Sequence, residues 1–104
     1  MKYALITGAS SGMGREYARQ LAAMGYGIVV VSNDEEGNNR VANELTQRYG
    51  VRAVPMYADL TQANSAERIY NDVVTQGIEI EILISNAGML LFSQLEHTPS
   101  ERIE

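Results

Sequence analysis

The chain has no cysteine, one lysine (Lys2), one histidine (His97) and no long apolar run. Without cysteine there is no disulfide framework, no thiolate nucleophile and no Cys-ligated zinc, and the composition suits a reducing, cytoplasmic setting. His97 has no second His or Cys to share a metal ion with, so a surface or capping role is expected of it. The apolar runs IVVV at 28–31 and ILI at 82–84 fall far below the roughly 20 residues of a membrane span. MKYALITG at the start lacks the length of a signal-peptide core. Positive charge is scarce: 8 Lys+Arg stand against 13 Asp+Glu, a net charge of -5. Phosphate backbones and anionic membrane surfaces are repelled on average, so neither nucleic acid nor a membrane is an expected partner.

What is present is an ordinary globular composition, 45% hydrophobic and 20% charged over 104 residues, enough for one domain spanning 1–104. Short β-rich runs recur at 3–6 (YALI), 28–31 (IVVV), 53–57 (AVPMY) and 80–84 (IEILI). Segments with helical spacing lie between them. Met13, Tyr17, Leu21 and Met24 form one stripe, Val41, Leu45 and Tyr49 a second, and Ala66, Ile69 and Val73 a third; all three are read as core faces. Gly25, Gly50 and Gly77 each follow a helical segment, as left-handed C-terminal caps do. Strands alternating with helices describe successive right-handed βαβ units, and so an α/β fold: a doubly wound parallel sheet in three layers. TPSE at 98–101 reads as a helix start, with Thr98 as cap, Pro99 in the first turn and Glu101 closing a capping box, followed by only three residues. That abrupt stop gives the expectation that the chain is the N-terminal part of something longer.

The stretch ALITGASSGMGREYARQL at 4–21 passes from strand to helix through residues that are small except for Met13. Thr7, Gly8, Gly12 and Gly14 give T-G-x-x-x-G-x-G at the first βα turn, on the carboxyl edge where open α/β sheets bind ligands. Gly8 permits a tight exit from the strand, Gly12 leaves no Cβ where backbone would meet a pyrophosphate, and Gly14 lets the helix lie close on the sheet. The helix N-terminus supplies free N–H groups and a positive dipole end, and Ser10 and Ser11 add hydroxyls. A glycine-rich turn that binds nothing is the plain alternative. No G-K-[ST] follows, which excludes a Walker-type loop.

With this motif the sequence resembles the short-chain dehydrogenase/reductase family, and two further stretches agree in order and spacing: ADL at 58–60 and SNAG at 85–88. The resemblance implies a Rossmann-like NAD(P)-binding domain with strand order 3-2-1-4. It implies an oxidoreductase that moves hydride between NAD(P)(H) and a carbonyl or alcohol substrate. In that strand order the fourth strand, EIEILIS at 79–85, is an open apolar edge, so a homo-oligomer is expected. By resemblance, Gly8, Ser10, Gly12, Met13 and Gly14 line the pyrophosphate and ribose, Asp59 and Leu60 the adenine, and Asn86, Ala87 and Gly88 the ribose beside the nicotinamide, with Ser11 a further hydroxyl donor to the anion. Ser85 stands where the family has Asn. The plainer alternatives are that Asp59 ends the strand and caps the next helix, and that Asn86 hydrogen-bonds backbone where strand pairing ends.

The tip of the second strand faces the adenosine ribose in a dinucleotide fold, and it falls at Ser32 and Asn33. Neither is acidic, so NADP(H) is favoured over NAD(H). Asp34 reads as the start of the second helix, with Glu35 and Glu36 suiting its dipole, and Arg15 and Arg40 are the nearest cations for a phosphate. The family's Tyr and its Lys four residues later are missing: none of the six tyrosines is followed by Lys at that spacing. The expectation is a dinucleotide-binding half without its catalytic partner residues. A stand-alone, non-catalytic nucleotide-binding or sensor module is the alternative, and a flavodoxin-like domain a third reading.

Overall fold

The computed structural model describes residues 2–10, 12–59 and 61–85. Strand β1 (Tyr3–Thr7) is followed by α1 (Gly12–Ala23), β2 (Gly27–Ser32), α2 (Glu35–Tyr49), β3 (Ala53–Tyr57), α3 (Ser65–Thr75) and β4 (Ile80–Ile84). The strands form one parallel sheet in the order β3-β2-β1-β4, as expected. Thr7 lies beside Val31, Ser32 beside Tyr57 and Ile6 beside Ile84, so all four carboxyl ends point the same way. Thr98, Pro99, Glu101 and His97 lie outside the described residues.

The period of two along each strand divides the core between the faces. Ala4, Ile6, Ile28 and Val30 pack with Ala18 and Ala22 of α1 and with Val41, Ala42 and Leu45 of α2. Tyr3, Leu5, Val29 and Val31 pack on the other face with Ile69 and Val73 of α3. β1 and β2 are buried along their whole length, whereas β3 and β4 form the edges. Pro55 in β3 lacks the N–H that a further strand would use, which protects that edge; β4 carries no such block.

The helix ends follow the sequence closely. Beyond α1, Gly25 has φ +98°, Gly25 N–H donates to Ala22 O at 2.9 Å and Tyr26 N–H to Leu21 O at 3.1 Å. This is the Schellman pattern, with Tyr26 and Leu21 supplying its apolar contact to the core. α3 ends in the same way at Gly77, with Ile78 N–H on Val73 O. At the start of α2, Asp34 Oδ1 accepts from Gly37 N–H at 3.0 Å, so Asp34 is a helix cap.

One stripe is not where its spacing suggested. Met13, Tyr17 and Met24 are exposed, at 64%, 36% and 70%. The buried line on α1 is Gly14, Ala18 and Ala22, which has the same period one residue further on. α1 lies so close to the sheet that only small side chains fit beneath it, and the large ones turn outward. The stripes of α2 and α3 do face the core.

The outer faces of α1 and α2 are joined through Glu44. Arg19 Nη2 donates to its carboxylate at 2.9 Å and Arg15 Nη2 at 3.1 Å, with Arg48 Nη1 at 3.5 Å. Partial burial pushes the Glu44 carboxyl up, but the hydrogen bonds from Arg19 and Arg15 outweigh it and hold the group below its ordinary value of 4.5. A carboxyl lowered in this way stabilises the fold fully above its unfolded pKa, and the contribution is lost as pH falls through the folded value. Glu44→Gln is therefore expected to lower stability by up to about 1 kcal/mol at pH 7. Urea denaturation should show the difference shrinking as pH drops below about 4.3, and a difference that stays constant as the pH falls contradicts the charge-based origin.

Candidate functional site

Because every strand is parallel, the segments leaving the sheet at its carboxyl edge gather in one place. Gly8–Ser10 leave β1, Asn33 and Asp34 leave β2, Ala58 and Asp59 leave β3, and Ser85 leaves β4. The structure thus brings together the described members of the expected set: Gly8, Ser10, Gly12, Met13, Gly14, Ser32, Asn33 and Asp59. Ser11, Leu60, Asn86, Ala87 and Gly88 lie outside the described residues.

The turn after β1 is anchored by Gly8 N–H on Val31 O at 2.8 Å, which ties it to the tip of β2. Gly8 and Gly12 hold φ of +68° and +61°, a region that side chains disfavour. Gly14 is required for a different reason: a Cβ there would stand 2.2 Å from Gly8 O and 3.1 Å from Ala9 Cα. A Cβ on Gly12 would meet nothing within 4 Å, so the space above it is open. The result is a helix that starts at a glycine with open space above it, with exposed Met13 at its side.

The residues after β2 turn inward. Ser32 is 7% exposed, and its hydroxyl donates to Asn38 Oδ1 at 2.5 Å and accepts from Asp34 N–H at 3.1 Å. Ser32 therefore belongs to the underside of the edge, while Asn33 is exposed on top. The Asp34 carboxylate is bound to Gly37 N–H, and a Cβ on Gly37 would lie 2.3 Å from Asp34 Oδ2 and 3.0 Å from Ser10 Cβ. Of the two arginines noted in the sequence, Arg15 is tied to Glu44, whereas Arg40 is exposed and makes no ion pair among the described residues.

Asp59 closes a tight turn, with Thr61 Oγ1 donating to its Oδ1 at 2.6 Å and Thr61 N–H at 3.1 Å. Those two bonds, the hydroxyl first, hold the carboxyl below its ordinary range, so it stays an acceptor. Asp59 does not cap α3 with its side chain; its carbonyl accepts from the Ser65 hydroxyl instead. A cavity of about 240 Å³ lies on the α3 side, between Tyr57, Asp59, Arg68 and Asp72, apart from the glycine turn.

Gly37 and Asn38 were missed by reading motifs. The available signal for Asn38 was its place three residues before Val41, on the apolar stripe of α2.

The sequence matches the family model described as short chain dehydrogenase over residues 2–104. It is 35% identical over 89 residues to a very-long-chain 3-oxoacyl-CoA reductase of Anas platyrhynchos, covering 84% of this chain and 28% of the relative. The fold matches a short-chain dehydrogenase from Sphingobium yanoikuyae in complex with NADPH, with TM-score 0.75, 34% identity, and 84% and 34% of the two chains covered. An alcohol dehydrogenase from Thermococcus sibiricus complexed with 5-hydroxy-NADP gives TM-score 0.76 and 32% identity over 80% of this chain and 35% of that one. The chain thus spans about a third of the length of the proteins it matches.

The close approach at Gly14 is testable by stability alone. Gly14→Ala should cost about 2 kcal/mol, because backbone must move to admit the methyl group. Gly12→Ala should cost about 1 kcal/mol, from its positive φ only. Chemical denaturation of both variants checks the order, and a Gly14→Ala cost no larger than that of Gly12→Ala contradicts a rigid contact.

Proposed function

The chain belongs to the short-chain dehydrogenase family, and from that premise we propose that its carboxyl edge binds a nicotinamide dinucleotide, NADP(H) before NAD(H), for hydride exchange with a carbonyl or alcohol substrate. The observation that carries this reading is the glycine turn. Gly12 leaves the space at the start of α1 open while Gly14 brings the helix close to the sheet, an arrangement that fits a pyrophosphate at a helix N-terminus. Gly8, Ser10, Gly12, Met13 and Gly14 would hold the pyrophosphate and adjoining ribose, Asn33 the adenosine ribose, and Asp59 the adenine amino group. Ser11, Leu60, Asn86, Ala87 and Gly88 would complete the set. The dinucleotide supplies the hydride chemistry when bound.

The residues of this chain bind and orient. Backbone N–H groups at the start of α1 face the anion with no side-chain entropy to lose. The lowered Asp59 carboxyl remains ionised at neutral pH and accepts a hydrogen bond from an amino group. Preference for a 2′-phosphate is supported by the absence of a free acid at the β2 tip. Ser32 is buried, Asn33 is uncharged, and the Asp34 carboxylate is turned back onto Gly37 N–H. Arg40, exposed on α2, is the cation left to meet the phosphate.

Proton transfer to the substrate needs groups that these 104 residues lack. Lys2, the only lysine, stands beside β1 at the opposite edge, 3.6 Å from Glu81. These residues by themselves would hold cofactor and turn nothing over. Self-association is part of the same reading: β4 pairs with β1 alone among the described residues, and unlike β3 it has no proline to refuse a partner strand.

Calorimetry should find NADPH bound at least about tenfold more tightly than NADH, and Asn33→Asp should reverse the order, since like charges in contact cost several kcal/mol. Tighter NADH binding by the unmodified protein contradicts the preference, and loss of neither ligand in Gly12→Val contradicts the site. NADPH oxidation by the 104 residues alone in the presence of a ketone contradicts the orienting role assigned to them.

A further inference from the structure

Asn38 is the one polar residue on the buried stripe of α2, 1% exposed, and its side-chain hydrogen bonds run to the ends of β2 and β3. Its Oδ1 accepts from the Ser32 hydroxyl at 2.5 Å, and its Nδ2 donates to Ser32 O and to Met56 O, each at 3.1 Å. Ser32 O also accepts from Ala58 N–H at 3.0 Å, and the Ser32 hydroxyl accepts from Asp34 N–H at 3.1 Å. One amide therefore ties the last residue of β2, the last turn of β3 and the first turn of α2 into a closed network. Leucine has nearly the same size and would fill this place with less desolvation cost, so packing does not explain the choice.

We propose that Asn38 is a positioning residue for the adenosine end of the dinucleotide: the Ser32–Asn38–Met56 clasp fixes the separation of the β2 tip at Asn33 from the β3 tip at Asp59. The inference rests on the dinucleotide reading given above. Asn33 follows Ser32 directly, and Asp59 follows Ala58, whose N–H hangs from Ser32 O. Asn33 is thus one peptide from the clasp, and Asp59 is one peptide from Ala58, which is bonded to it. The glycine turn is anchored by Gly8 N–H on Val31 O, a bond in which the Asn38 side chain takes no part. The clasp accordingly controls one half of the ligand and leaves the other untouched.

The test uses the protein with ADP as the adenosine probe and reduced nicotinamide mononucleotide as the other half, both titrated calorimetrically. ADP suits the purpose because it does not depend on the choice between NAD and NADP. Asn38→Leu should weaken ADP binding about tenfold, the equivalent of one or two net hydrogen bonds, and leave the mononucleotide unchanged. Ser32→Ala, a milder change that keeps the amide bonds to Ser32 O and Met56 O, should weaken ADP several-fold. The double variant should weaken it no further than Asn38→Leu alone, because both changes open one network. Unchanged ADP affinity in folded variants, or equal loss for both probes, overturns the clasp. Should Asn38→Leu fail to fold, Ser32→Ala decides alone by the same two outcomes. If the unmodified protein binds neither ADP nor NADPH, the dinucleotide reading falls and takes the clasp's role with it, a result distinct from binding that the variants do not alter.

Discussion

The carboxyl edge is organised by the contact of α1 with the end of β1, where Gly14 leaves no atom between the helix and Gly8 O. A Cβ at that point would sit 2.2 Å from the carbonyl, so the distance between helix and sheet is set by backbone on both sides. The rest of α1 complies: Ala18 and Ala22 continue the small-residue line, and the helix is held down along its length. Its N-terminus is consequently carried to the lip of the sheet, at a glycine with open space above it.

Around that helix end the polar groups are committed in advance. Asp34 caps α2 through Gly37, Ser32 and Asn38 satisfy each other below the β2 tip, and Asp59 is locked by Thr61. A site whose donors and acceptors already have their orientation loses less entropy on binding. The sheet below is buried on both faces along β1 and β2, so the platform moves as a unit. Glu44 adds a brace between α1 and α2 on the outside, joining the two helices whose first turns flank the glycine turn.

Much of this was legible in the residues. Four β-rich runs with helical segments between them dictated a parallel α/β sheet, and Gly25 and Gly77 marked helix ends because only a left-handed residue completes the Schellman bonds found there. Asp34 was read correctly as the start of α2. The buried face of α1 was misread because two lines with the same period run side by side, and size favours the wrong one. Met13, Tyr17 and Met24 look like core, yet the space under the helix was already closed by Gly14. The sequence places Ser32 at the ribose-facing tip of β2, and what it does not display is that the hydroxyl is bound to Asn38, which is hidden in an apolar stripe. Hydrophobic periodicity scores such a residue as an interruption, when it is a tether between strand ends.

The central claim is that backbone at the first βα turn receives a phosphate. Amide chemical-shift mapping with NADPH tests it most directly, since it reads backbone N–H groups one by one. The expected result is large shifts at Gly12, Met13 and Gly14 with smaller ones at Asn33 and Asp59, and none at Tyr3, Arg52 or Gly77 on the opposite edge. Shifts confined to that opposite edge, or an unchanged spectrum at saturating NADPH, would contradict it.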